Sequence, residues 1–160
     1  QGLHGKIIIL DRDGIINKKM APRQYLTNFD QLSYEIQYIR IFETLGKLGY
    51  NFVIASNQPG VATGEVSEDF LKELHIKMTN YLRDRGVNLL AFYICKHHWN
   101  EECSCRKPKP GLLNQIAHDF ALIANTTYFI GDEEKDVHAA LAAGMKGVLF
   151  PDNNFLPSFT

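Results

Sequence analysis

The sequence predicts an α/β protein: an open, doubly wound (Rossmann-like) parallel sheet with helices on both faces. Three observations predict it. Short apolar runs rich in β-branched and aromatic residues alternate with longer stretches of helical periodicity. Strand–helix–strand order favours parallel pairing, with the sheet covered on both sides. Finally, each polar motif follows directly on an apolar run, at the strand carboxyl ends where such sheets bind ligands.

The strands are expected at "KIIIL" (6–10), "FVIAS" (52–56), "AFYIC" (91–95), "TYFIG" (127–131) and "GVLF" (147–150). Each is brief and apolar throughout, as a strand buried on both faces should be. Between the first two, Ile36, Ile39, Phe42, Leu45 and Leu48 recur at helical spacing. Phe70, Leu71, Leu74, Met78, Tyr81 and Leu82 do so after Ser67, a residue suited to cap a helix N-terminus. A third helix is expected over about 111–122 and a fourth over about 135–143, ended by Gly144. Repeats, low-complexity stretches and linkers are absent, so residues 1–160 are read as one domain.

Composition narrows the function. A formal net charge of −1 offers no field for general nucleic-acid binding. No apolar run approaches the ~18 residues needed to cross a bilayer. The chain opens on Gln1, and Gln1 and Gly2 read as a cloning remnant. The short run "GKIIIL" does not resemble a secretion signal. All three cysteines lie within the stretch 95–105, which is no disulfide framework; a reducing, cytoplasmic setting is expected.

At the strand ends the residue types point to phosphate and metal chemistry. Asp11 and Asp13 of "DRDG" lie two apart, so their carboxylates share a direction and repel unless a cation or proton intervenes. Asp132 of "GDEEKD" adds a further hard oxygen suited to Mg²⁺. Taken alone, "DRDG" would read as a capped turn. Four such segments at one edge favour a site. Ser56 and Asn57 open a loop with Pro59, Gly60 and Gly64 that can hold phosphate oxygens, and Lys107 can neutralise them. Cys95, His97, Cys103 and Cys105 form C-x-H-x5-C-x-C, the donor set of a closed tetrahedral zinc site. Such a zinc would be structural, a staple that orders a loop with little core and holds Arg106 and Lys107 at the edge. His98 is an alternative donor, while His4, His75, His118 and His138 look isolated and need no role.

"LDRDGIIN", "SNQPGVATG", "CKHH…CSCRKPKPG" and "FIGDEEKD" resemble, in order and spacing, the four motifs of haloacid dehalogenase superfamily phosphatases. The nearest resemblance is to D-glycero-D-manno-heptose 1,7-bisphosphate 7-phosphatases, with histidinol phosphatases as near relatives, and it covers about 6–151. The resemblance implies that Asp11 is the nucleophile that becomes a phosphoaspartate and Asp13 the general acid and then base. It implies Mg²⁺ held by Asp11, the Asp13 backbone carbonyl and Asp132, with Ser56 and Lys107 on the phosphoryl oxygens. Asn57, Gln58 and Arg106 would contact a small phosphorylated substrate, and Asp136 would orient Lys107 or the metal site. No segment is long enough for a large cap domain, and a monomer is expected.

Several positions depart from that pattern. Ile15 replaces a usual threonine, "KKMAPRQYL" replaces a sugar-contacting stretch, and Thr63 stands where an arginine is common. The short gap between His97 and Cys103 is more like the histidinol enzymes. Two other classes remain open from the residues: a receiver-like phosphoacceptor and a zinc-stapled nucleic-acid binder. The first lacks a reason for the cysteine loop, and the second a basic surface.

Overall fold

The computed structural model describes residues 6–151. Its elements run β1 (Ile7–Leu10), α1 (Ile36–Lys47), β2 (Asn51–Asn57), α2 (Glu68–Asp84), β3 (Leu89–Cys95), α3 (Gly111–Asp119), β4 (Tyr128–Gly131), α4 (Glu134–Ala142) and β5 (Lys146–Leu149), with short 3-10 turns at Phe29–Gln31 and Ala124–Thr126. The five strands form one sheet in the order β3-β2-β1-β4-β5, every pair parallel. The doubly wound expectation holds.

Strand alternation divides the core between two faces. Ile8, Leu10, Phe52 and Ile54 pack with Ile39 and Phe42 of α1 and with Leu74 and Met78 of α2. Ile7, Ile9, Val53 and Ala55 point the other way, onto Leu113 and Ile116 of α3 and Ala139 and Ala140 of α4. Each helix turns one apolar stripe inward, which is why its periodicity was visible in the sequence. Ser67 caps α2 as its type predicts, its hydroxyl accepting from the Phe70 amide at 3.0 Å.

Two boundaries differ from the pattern reading by two residues or more. α3 stops at Asp119 instead of near residue 122, because Ala121 takes a left-handed backbone with φ 53° and turns the chain. β3 begins at Leu89, earlier than expected, since pairing with β2 extends past a register shift at Phe52/Val53. In β3, an edge strand, the middle positions are only half-buried.

This winding positions the site. From β1 the chain proceeds through β2 to β3 on one side, then crosses back to place β4 on the other side of β1. The crevice where direction reverses therefore opens beyond the ends of β1 and β4. The long connection 11–35 contains only the short turn at Phe29–Gln31, so among the described residues no cap domain covers that crevice.

Candidate active site

Asp11 follows β1 directly, its amide still bonded to the Ile130 carbonyl of β4 at 2.9 Å. The loop after it folds tightly: the Arg12 carbonyl accepts from Ile16 at 2.8 Å, and the Gly14 amide donates to Asn17 at 2.7 Å. Gly14 sits at φ 85°, and a Cβ there would lie 2.2 Å from Asp132 Oδ2. Glycine is what lets the two acidic loops touch.

Lys107 ties the strand ends together. Its ammonium is buried, 3.0 Å from Asp11 Oδ1 and 2.8 Å from Asp136 Oδ1, and it donates to the Ala55 carbonyl at 3.2 Å. Burial would lower its pKa, but the two carboxylates hold it above the usual lysine value, so it stays charged. Asn57 fixes its backbone, the side-chain oxygen accepting from the Lys107 amide at 3.1 Å and the side-chain nitrogen donating to its carbonyl at 3.3 Å. Asp136 completes the arrangement by accepting from the amides of Asp132 (3.2 Å) and Glu133 (3.1 Å) at the start of α4. A Cβ at residue 131 would fall 2.3 Å from Asp136, so only Gly131 admits that approach.

Asp11, Asp132 and Asp136 bring carboxylate oxygens within 4.8 Å of one another. Burial lifts the Asp11 pKa to about 7; Lys107 pulls against this, while Asp136 and Asp13 reinforce it. Burial also raises Asp132, against the pull of Lys19, whose ammonium lies 2.8 Å from Asp132 Oδ2 and also pairs with Glu133. Asp132 Oδ1 is buried with no hydrogen-bond partner. A cluster whose negative charge is costly, with one oxygen unsatisfied, has the donor chemistry for a hard divalent cation.

Asp13 lies in different surroundings. Burial would raise its pKa, but Arg12, Asn17 and Gln58 together hold it below the usual carboxylate range. Arg12 Nε and Nη2 donate to Oδ1 at 3.0 and 2.9 Å, Asn17 Nδ2 to Oδ1 at 2.9 Å, and Gln58 Nε2 to Oδ2 at 3.0 Å. Gln58 also donates to Ser56 Oγ at 2.9 Å and so joins the hydroxyl to Asp13. Beside this group opens a cavity of about 380 Å³, lined by Asp13, Gln58, Asn57 and the segment from Lys19 to Leu26.

At the end of β3, Cys95, His97, Cys103 and Cys105 converge, with all four donor atoms within 4.8 Å of one another. The Cys95 and Cys105 sulfurs are paired most closely, within disulfide reach, and Cys103 Sγ lies 3.8 Å from Cys95 Sγ. Arg106 reaches back into this loop, donating to the carbonyls of His98 (2.5 Å) and Trp99 (2.7 Å). It does not line the cavity.

The structure thus gathers Asp11, Asp13, Ser56, Asn57, Gln58, Lys107 and Asp132 at one edge, with Asn57 and Gln58 occupied in holding Lys107 and Asp13. Pattern reading missed Arg12, Asn17 and His75, and placed Lys19 near substrate without its pairing to Asp132. His75 did leave a signal: it shares a helix face with Leu71, Met78 and Leu82 of the buried stripe, an odd place for an imidazole.

Known proteins resemble this chain along most of its length. A HAD-hydrolase-like family model matches residues 104–158. A D-glycero-beta-D-manno-heptose-1,7-bisphosphate 7-phosphatase of Pasteurella multocida is 36% identical over 150 residues, covering 90% of this chain and 80% of that protein. A histidine biosynthesis bifunctional protein HisB of Campylobacter jejuni is 30% identical over 161 residues, but these are only 46% of its length. Among solved structures, the D,D-heptose 1,7-bisphosphate phosphatase of B. bronchiseptica, complexed with magnesium and phosphate, superposes with a TM-score of 0.84 at 30% identity, covering 90% of this chain and 79% of that one. With the fold, the order of the strand-end motifs and this similarity in agreement, the chain belongs to the heptose-bisphosphate phosphatase family of HAD-like hydrolases.

Proposed function

We propose that residues 1–160 form one catalytic domain, a Mg²⁺-dependent phosphatase that removes the 7-phosphate of D-glycero-D-manno-heptose 1,7-bisphosphate through a phosphoaspartate on Asp11. The observation that carries this reading is the buried contact of Lys107 with Asp11 and Asp136 at the end of β1, with a cavity sized for a small phosphorylated sugar opening beside Asp13. The similarity to heptose phosphatases over about four fifths of their length favours that substrate over histidinol phosphate.

Asp11 attacks phosphorus, and the leaving alkoxide takes a proton from Asp13. Water then attacks the acyl phosphate while Asp13, now a carboxylate, takes a proton from that water; inorganic phosphate leaves and the Asp11 carboxylate is restored, so one difficult displacement is divided into two. Asp13 is held as a carboxylate in the free protein. An anionic phosphate arriving beside it raises its proton affinity, the change an acid requires. Lys107 and the Ser56 hydroxyl hold the equatorial oxygens, as fixed donors aimed at the charge that develops there. Asp11, Asp132 and the Asp13 carbonyl would hold Mg²⁺, which would offset charge between the nucleophile and the phosphoryl group.

Zinc belongs to the same proposal. In the reduced protein the four donors of the cysteine loop would take it up, because they already lie close together. Cys95 and Cys103 sulfurs stand 3.8 Å apart, close to the ~3.8 Å edge of a tetrahedron with ~2.3 Å Zn–S bonds. Arg106 supports this loop from below through the carbonyls it binds.

Three outcomes are expected. Asp11→Asn lowers Mg²⁺-dependent phosphate release from heptose bisphosphate by at least about 10³-fold, measured by phosphate assay; near-normal turnover would remove Asp11 from the mechanism. Lys19→Met tightens Mg²⁺ binding roughly fivefold in calorimetry without substrate, because it removes a half-exposed competing charge worth ~1 kcal/mol; unchanged affinity would mean that Lys19 does not oppose the ion. Protein purified under reducing conditions contains zinc by elemental analysis, and Cys103→Ser loses it along with about 2 kcal/mol of stability, or roughly 5 °C in Tm; a zinc-free native protein would rule out the ligand set.

A further inference from the structure

Arg12 is 2% exposed, and a buried guanidinium needs its donors satisfied. Its two bonds to Asp13 both end on the same oxygen, Oδ1. That is not the two-oxygen fork that fixes a guanidinium against a carboxylate. Anchored at a single atom, the planar group could pivot and carry Asp13 with it. The remaining arm settles the plane: Nη1 lies 3.1 Å from Nε2 of His75 on α2. The imidazole is itself held, stacked on Phe92 of β3 with ring centres 3.9 Å apart and planes within 9°. Burial, with the Arg12 charge adding to it, presses the His75 pKa down to about 3, so the ring is neutral and Nε2 has a lone pair to offer.

We propose that His75 is a positioning residue for the reaction, accepting from Arg12 and so fixing the guanidinium that holds Asp13 in its acid–base orientation. The inference rests on the reading of Asp13 as the proton-transfer group. It gives α2 a place in the chemistry, through a line of contacts from Phe92 to His75 to Arg12 to Asp13. It also assigns the neutral Nδ1–H tautomer to His75, since Nε2 is the acceptor.

The test is steady-state kinetics on an aryl phosphate with Mg²⁺. His75→Phe keeps the stack but has no acceptor; kcat should fall about tenfold with KM within roughly twofold, the mark of an interaction made in the transition state. His75→Gln, whose amide oxygen can accept from Arg12, should recover kcat to within about threefold of the unaltered enzyme. The double variant His75→Phe with Arg12→Lys should be no slower than Arg12→Lys alone, because His75 acts only through Arg12. Unchanged kcat in His75→Phe, or multiplying losses in the double variant, would overturn the inference. Independently of any substitution, long-range ¹H–¹⁵N spectra of the unaltered protein should show Nε2 of His75 without a proton; a proton there would overturn it as well. Asp13→Asn separates the two levels. If that variant stays active, the reading of Asp13 fails and takes the inference with it. If it is inactive while His75→Phe is normal, the inference alone fails.

Discussion

The Lys107 ammonium, closed off from water between Asp11 and Asp136, is the interaction on which the rest of the site depends. Burying one charge in protein is expensive, and burying three is tolerable only when they are close and fully bonded. Here the cost is met by the Ala55 carbonyl and by the amides of Asp132 and Glu133, which satisfy the outer lone pairs of Asp136. The result is an Asp11 carboxylate, the nucleophile of the proposed reaction, held against a fixed positive charge. Preorganisation of this kind lowers the barrier without reorganisation at the moment of reaction.

The two ion pairs of Lys107 are both long-range in sequence. Lys107 reaches Asp11 because β3 runs parallel to β2 and the Asn57 amide grips the Lys107 backbone on both sides. Asp136 reaches it because β4 pairs with β1 and because Gly131 leaves room. The cysteine loop joins β3 to Lys107, so an effect of the loop on catalysis would pass through the position of Lys107. Two kinds of carboxylate follow from these surroundings. Asp11 has few donors and a raised pKa, whereas Asp13 has four donors and a depressed one. Groups separated in this way by environment can divide nucleophilic and proton-transfer duties.

Much of this was legible before the structure, and for identifiable reasons. The five strands could be read because each is apolar on both faces, and the helices because each has one apolar stripe. Asp11, Ser56, Lys107 and Asp132 stood out because each follows a strand, where parallel sheets place ligands. Asn57 and Gln58 can be placed at the strand end from spacing, but their use in holding Lys107 and Asp13 depends on side-chain directions that no spacing reports. Arg12 could not be assigned a partner, because a cation between two aspartates is adjacent to both in sequence whichever it binds. The end of α3 was misjudged for a similar reason: Ala121 gives no warning of a left-handed turn. The state of the cysteine loop is likewise beyond the reach of spacing alone, since the same four side chains in the same place can serve a metal or a disulfide.

The most direct measurement is the behaviour of Lys107→Met, a change close in shape that removes only the charge. Two carboxylates then face each other unpaired in the interior, so unfolding free energy should drop by about 3–5 kcal/mol and kcat by at least about 10³-fold. A variant that unfolds at the same denaturant concentration and turns over within tenfold of the unaltered enzyme would contradict the central role given to this buried ammonium.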